Sequence, residues 1–240
     1  MSLNTIKTFI LDLIFPRYCL GCRKEMASKQ SVLVCDACFG KITLNSGVQC
    51  HICGLRNRFG TCPVRNRVSN GTCRKCQKKT PLRGLFAASQ YKNPILKEMI
   101  HQFKYQSVES LKKPLAELII AYITKELLTN KLTNSVLVPI PLTLKRKINR
   151  GFNQSELLAK EIGKFLNCPV INLLKRKKFT SPQAEISDWQ QRKENIANAF
   201  CLSTSYPHFY RFRKPIKIKV ILVDDVSTSG ATLEEAATVL

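Results

Sequence analysis

Acidic residues are scarce in this chain. It has 16 Asp and Glu against 39 Lys and Arg, a net charge of +23 over 240 residues. An imbalance of that size exceeds what solubility needs and points to polyanionic partners. Long apolar runs are also missing. No stretch reaches the roughly 20 residues that a helix needs to cross a bilayer, so no spanning segment is expected. There is no G-x-x-x-x-G-K-[ST] loop, because Gly163-Lys164 is followed by Phe165 inside a helical pattern. A Walker-type nucleotide site is thereby excluded. The first apolar stretch is broken by Asp12 and no small-residue cleavage site follows it. A secretory leader is not expected, and the cytoplasm is the expected compartment.

Cysteine, by contrast, is abundant. Eight of the 11 cysteines fall in four C-x-x-C pairs: Cys19/Cys22, Cys35/Cys38, Cys50/Cys53 and Cys73/Cys76. Random placement would give roughly one such pair or fewer. Two thiolates separated by two residues grip one metal from a tight knuckle. Two knuckles close a tetrahedral zinc site with no open position for chemistry. Twelve residues separate Cys22 from Cys35, and nineteen separate Cys53 from Cys73; both gaps suit zinc ribbons. Sequential pairing gives Cys19, Cys22, Cys35 and Cys38 to one ion, and Cys50, Cys53, Cys73 and Cys76 to another. A cross-braced arrangement is the alternative. Disulfides are disfavoured without a secretory context, and four pairs do not resemble a single redox pair. Cys62, Cys168 and Cys201 are left over. Cys168 and Cys201 read as small buried residues.

The layout is two-part, with a boundary near Pro81. Residues 1–80 comprise an amino-terminal helix (Ile6, Phe9, Ile10, Leu13 and Ile14 on one face of residues 3–14) and the cysteine-rich unit. That helix is expected to pack on the protein; a membrane-surface role is the alternative. A unit of this size cannot bury a large core, so metal must supply much of its stability. Residues 81–240 alternate strand-like and helix-like segments. Strands are expected at Leu85–Tyr91, Ser135–Ile140, Val170–Leu174 and Val220–Val223. Helices are expected at Pro94–Phe103, Pro114–Leu128 and Asn153–Leu166. Residues 175–200 read as a polar, basic excursion. Such alternation predicts an α/β fold with a mostly parallel sheet and helices on both faces.

Within that fold one segment carries most of the chemistry. The run from Val220 to Thr232 reads VILVDDVSTSGAT. Four apolar residues make a strand buried on both faces. In such sheets ligands bind beyond the carboxyl ends of the strands. Asp224 and Asp225 stand at that end, suited to ribose hydroxyls or a bound Mg2+. The small loop residues and the helix that follows offer unpaired N–H groups to a phosphate. This segment resembles the 5-phosphoribosyl 1-diphosphate (PRPP) loop of type I phosphoribosyltransferases. The resemblance implies that Asp224 and Asp225 face the ribose. It also implies that Ser227, Thr228, Ser229, Gly230, Ala231 and Thr232 form the 5-phosphate cradle.

Further segments widen the resemblance. They are Val138-Pro139-Ile140-Pro141-Leu142, the run Arg150 to Ala159, and Ser181-Pro182-Gln183-Ala184 followed by Arg192, Asn195, Ala199 and Phe200. With the cysteine pairs in front, the chain resembles the ComF family of phosphoribosyltransferase-like competence and gluconate-utilisation proteins, from Phe15-Pro16 to its end. The resemblance implies a type I phosphoribosyltransferase-like sheet behind a double zinc ribbon, and Zn2+ and Mg2+–PRPP as cofactors. It places diphosphate or substrate contacts at Pro139, Ile140, Pro141, Arg150, Gln154, Gln183, Arg192 and Asn195. Asp224 and Asp225 would carry any catalysis. The sequence stops about two turns into the helix after the loop, where that fold normally continues, so a shortened carboxyl end is expected.

Basic runs at Lys145-Arg146-Lys147, Lys175-Arg176-Lys177-Lys178 and Arg211-Phe212-Arg213-Lys214, the last beside Phe209 and Tyr210, suit single-stranded DNA. Three functions follow. The first is a competence factor that binds PRPP and single-stranded DNA. The second is a phosphoribosyltransferase of small-molecule metabolism. The third is a zinc-ribbon adaptor for a DNA-translocating motor.

Overall fold

The computed structural model describes residues 17–26, 33–50, 56–57, 80–126, 128–132, 134–178, 180, 189–203 and 219–240. The amino-terminal helix expected at 3–14 lies outside them, as do Cys53, Cys62, Cys73, Cys76, Gln183 and the aromatic–basic run at 209–214.

In chain order the elements are α1 (Asp36–Phe39), β1 (Val48–Gln49), β2 (Arg56–Asn57), α2 (Pro94–Tyr105), α3 (Lys112–Lys125), α4 (Thr129–Leu132), β3 (Ser135–Pro139), α5 (Leu144–Arg150), α6 (Gln154–Leu166), β4 (Leu174–Arg176), α7 (Trp189–Ile196), β5 (Phe200–Leu202), β6 (Lys219–Val223) and α8 (Ala231–Val239). Local chemistry sets several boundaries. Asn93 caps α2, its Oδ1 accepting from the N–H groups of Ile95 and Leu96, and Pro94 fills the first turn. Asn153 caps α6 by accepting from Ser155 N–H. Asn167 ends α6 in the left-handed conformation.

β3 and β6 pair in parallel, Ser135 opposite Lys219 through Pro139 opposite Val223. On the other side of β3, Leu137 and Val170 form a parallel bridge. β3 is therefore central and buried along its whole length, which explains its unbroken apolar run. α6 packs against α3, β3 and β6. Together with the cysteine cluster below, this is a mixed α/β chain of the expected class.

Two expected strands take other forms. Leu85–Tyr91 does not join the parallel sheet. It runs extended beside residues 44–49, bridging Leu85 to Gln49 and Ser89 to Leu44. The segment expected at Val170–Leu174 keeps its pairing only at Val170. Leu173 N–H then turns back onto the Ile171 carbonyl, and Ser203 N–H donates to Leu173. The chain is thereby handed to an antiparallel pair, β4 with β5.

The core crosses the chain. One apolar cluster holds Cys19, Cys38, Leu96, Met99, Phe103, Leu137, Leu158 and Val223 together. Residues of the cysteine-rich part thus share a core with α2, α6 and the sheet. Polar ties reinforce it: Tyr122 Oη donates to the Gly47 carbonyl at 2.6 Å, and Asn45 Nδ2 donates to the Ala87 carbonyl at 2.8 Å. Among the described residues no helix is long and apolar enough to cross a membrane.

Candidate functional site

The first two cysteine knuckles meet. The Sγ atoms of Cys19, Cys22, Cys35 and Cys38 all lie within 4.8 Å of one another. Gly21 N–H and Cys35 N–H each donate to Cys19 Sγ at 3.4 Å. Burial works against ionisation of Cys19, but these backbone donors outweigh it and bring its thiol down to about 6. Cys38 is pushed up to about 12 by burial and then by its neighbouring sulfurs. Four soft ligands, amide donors to sulfur and no exchangeable oxygen ligand fit a structural zinc ion. The knuckle has no room for a side chain at position 21. A Cβ there would lie 2.8 Å from Cys38 Sγ and 3.3 Å from Ile95 Cδ1. Of the second quartet only Cys50 is described, and it is fully buried.

The acidic pair stands at the carboxyl end of the sheet, where β6 runs out. Ile140 N–H donates to the Val223 carbonyl at 2.9 Å, so the exits of β3 and β6 stay in register. Asn153 Nδ2 donates to the Ile140 carbonyl at 3.0 Å, which ties the start of α6 to the same edge. Ser155 Oγ then donates to Asp224 Oδ1 at 3.0 Å. Lys104 Nζ sits 2.9 Å from Asp225 Oδ1, with the two side chains 19% and 10% exposed. Burial, then the charge on Asp225, pushes Asp224 up to about 7. Lys104 and Ser155 pull the other way without cancelling this. For Lys104, burial favours the neutral amine, but Asp225 and Asp224 outweigh it and hold the ammonium charged above its ordinary range. The pair thus already carries one cation.

Gly230 opens α8 with φ 76° and ψ −3°, a conformation that a Cβ would strain. Ser229 Oγ accepts from Ala231 N–H at 3.4 Å. Ser227 and Thr228 are exposed, while Ser229 and Thr232 are half-buried. The loop N–H groups at the start of α8 follow directly after the carboxylates.

The other expected contact residues are placed as follows. Pro139 and Ile140 are buried at the β3 exit, and Pro141 is half-buried just beyond. Gln154 is 1% exposed. Its Nε2 donates to the Phe103 carbonyl at 3.1 Å and its Oε1 accepts from Arg150 at 3.4 Å. Arg150 also lies 5.3 Å over the Tyr105 ring. Gln154 therefore positions Arg150. Arg192 and Asn195 sit on α7, which packs against α8. A separate concavity of about 820 Å3 along α6 includes Glu109, Lys112, Glu161 and Lys164 in its lining. These charges are paired with each other at 2.6 and 3.0 Å, so nothing there calls for a ligand.

Sequence reasoning did not single out Lys104 or give Ser155 a role. A signal existed for Lys104. Leu96 and Ile100 lie on the inner face of α2, and Lys104 continues their four-residue spacing. Ser155 contacts Asp224 only through tertiary folding.

Residues 10–77 match the double zinc ribbon domain family. The chain is 30% identical over 226 residues to competence protein F of Haemophilus influenzae, covering 92% of this chain and 90% of that protein. It is 29% identical over 236 residues to DNA utilization protein YhgH of Escherichia coli strain K12, covering 95% and 92%. Competence protein ComFC of Bacillus subtilis is 27% identical over 216 residues, covering 85% and 76%.

Proposed function

This chain belongs to the competence protein F family, and on that premise we propose that it acts in DNA uptake and binds PRPP at Asp224, Asp225 and the loop to Thr232. The observation that carries the ribose-phosphate reading is the acidic pair held at the sheet's carboxyl edge by Ser155 and Lys104. Ionised carboxylates accept hydrogen bonds from sugar hydroxyls. Loop N–H groups at the start of α8 receive the 5-phosphate. The side chains of Asp224 and Asp225 would hold Mg2+ together with the ligand's phosphates. When bound, that ion neutralises charge on the diphosphate. Lys104 would have to yield Asp225 to it.

Calorimetry with Mg2+ and PRPP tests this on the zinc-loaded chain. Binding is expected in the wild type and not in Asp224→Asn with Asp225→Asn. A folded wild type that takes up no PRPP would end the reading. Pyrophosphate release that depends on an added acceptor would identify an active phosphoribosyltransferase. Any such transfer would pass through an oxocarbenium-like ribose, favoured by the buried negative charge beside it.

Single-stranded DNA is the second ligand we propose, and a different surface supports it. On α5, Leu144 and Ile148 are 74% and 71% exposed, with Lys145 and Lys147 exposed between and beside them. Tyr105 is 60% exposed near Arg150. Cations for phosphates and apolar faces for bases are interleaved there. Affinity should fall by about 0.7 log units per log unit of salt for each phosphate neutralised. An affinity indifferent to salt would exclude this surface. An adaptor role for the cysteine-rich part would instead show as co-purification with a DNA-translocating motor that requires intact knuckles.

A further inference from the structure

The four sulfurs of the first cluster do not share one environment. Cys19 is 0% and Cys38 3% exposed, and both sit in the apolar core with Leu96 and Met99. Cys35 is half-buried and Cys22 is exposed. The two knuckles differ in build. Cys35 stands at the start of α1 and Cys38 lies within it, on its buried side. Cys19 and Cys22 lie in a tight turn instead. Arg23 N–H donates to the Cys19 carbonyl at 2.9 Å, and Arg23 takes the left-handed conformation with φ 60°. The turn sets Cys22 at its outer tip, followed by exposed Arg23, Lys24 and Glu25.

Reactivity at the sulfurs is therefore uneven. A cysteine bound to zinc is a thiolate, so all four are nucleophiles, and access selects among them. Cys22 is the sulfur that a small oxidant reaches from solvent. Cys19 is protected twice. It is buried, and the amides of Gly21 and Cys35 both donate to its sulfur at 3.4 Å, which draws charge from it. A disulfide also needs a second sulfur within reach. Cys35 Sγ lies 3.9 Å from Cys22 Sγ and is the most open of the other three. Cys19 Sγ is nearer to Cys35, at 3.6 Å, but its burial keeps it from the first oxidation.

We propose that this cluster is a peroxide-responsive clasp, in which Cys22 and Cys35 give up their metal bonds to close a disulfide and zinc is released. The Cys22 thiolate attacks hydrogen peroxide. An S–O bond forms, the O–O bond breaks, and hydroxide leaves and is protonated to water. Cys22 is then a sulfenic acid. The Cys35 thiolate attacks that sulfur. The S–S bond forms, the S–O bond breaks, and the second hydroxide leaves and is protonated. Two thiolates have lost two electrons and the peroxide has gained them. Cys19 and Cys38 alone remain to hold zinc, two ligands where a structural site has four. The disulfide joins the same two knuckles that the ion joined, so the oxidised chain keeps that crossing without the metal.

The full zinc-loaded chain tests this. Hydrogen peroxide is added, released zinc is read with a chromogenic chelator, and disulfides are mapped by non-reducing mass spectrometry. The first disulfide should join Cys22 to Cys35 and appear together with the first ion released. A first disulfide between any other pair, zinc lost with no disulfide, or zinc retained once Cys22 is oxidised overturns the proposal. A cyclic diketone that traps sulfenic acids should label Cys22 in the wild type, and a first label on Cys19, Cys35 or Cys38 overturns it. Cys22→His keeps a fourth zinc ligand and removes the reactive sulfur. It should lose zinc about tenfold more slowly, and an equal rate overturns the proposal. Should Cys22→His fail to take up zinc, the trapping result on the wild type decides. Dithiothreitol with added zinc should restore the metal content and the melting curve. An oxidised chain that cannot be recharged is damaged rather than switched, and that result also overturns it.

Discussion

The cysteine cluster and the acidic pair are both sets of ionisable groups packed against α2, and they are built oppositely. The cluster is closed: four sulfurs within 4.8 Å, with two backbone N–H donors aimed at Cys19 Sγ. The acidic pair is open: one carboxylate is held by a hydroxyl and the other by a lysine, and a small-residue loop follows. A closed set spends its metal on stability. An open set keeps its cation exchangeable and can spend it on a ligand. α2 joins them, with Ile95 near the knuckle at one end and Lys104 on Asp225 at the other.

The largest expected effect is zinc removal. Structural zinc in small domains contributes about 10–16 kcal/mol of apparent binding free energy. A strong chelator should therefore abolish cooperative melting of the cysteine-rich part, followed by calorimetry. Because Cys19 and Cys38 share a core with Leu96, Met99 and Phe103, stripping zinc should also weaken PRPP binding. The converse should not hold: Asp224→Asn with Asp225→Asn should keep its full zinc content. PRPP affinity indifferent to chelation would break the link through α2. Gly21→Ala should be a milder version. Its methyl would meet Cys38 Sγ, so zinc affinity should fall and the melting temperature with it, read by metal competition and circular dichroism.

Lys104→Met sharpens the other side. It removes the resident cation, so Mg2+ should bind about tenfold tighter, roughly 1.4 kcal/mol. Stability should fall by about 1–3 kcal/mol, because Asp225 loses a charged hydrogen-bond partner. Equal Mg2+ affinity in mutant and wild type would mean that Lys104 and the metal do not compete.

What was legible in the sequence was what is local. Two knuckles are each four residues long, and Asp224-Asp225 adjoins its own loop. Asn153 could be read as a cap because capping acts over two or three residues. The partners were not legible. Lys104 reaches Asp225 across 121 positions and Ser155 reaches Asp224 across 69, distances that only the packing of α2 and α6 on the sheet closes. Gln154 was expected among the substrate contacts, and its amide is committed to Phe103 and Arg150. Phe103 comes to it through tertiary folding, which the sequence pattern does not carry. The strand expected at 170–174 was misjudged because its apolar run is shared between two pairings. Nothing in its composition marks the turn at Leu173.

The smallest expected effect separates the two regions by pH. Asp224 is raised to about 7 by burial and by Asp225, above its ordinary carboxylate range. Between that range and about pH 7 the folded chain therefore holds a proton that the unfolded chain has lost. This contribution to stability is present at low pH and disappears as pH rises through 7. Asp224→Asn removes the buried charge, so it should melt a few degrees above the wild type at pH 8 and close to it at pH 5. Ligand binding should run the other way. Sugar hydroxyls and Mg2+ need the ionised carboxylate, so wild-type affinity for Mg2+–PRPP should rise with pH until about 7 and then level. PRPP phosphates titrate nearby, so Lys104→Met, which keeps Asp224, is the comparison. Its pH profile should move upward, because a charge favouring the ionised form is gone. Profiles that coincide would show that Asp224 titrates without regard to its neighbours and would remove the electrostatic basis for treating the pair as an open, exchangeable site.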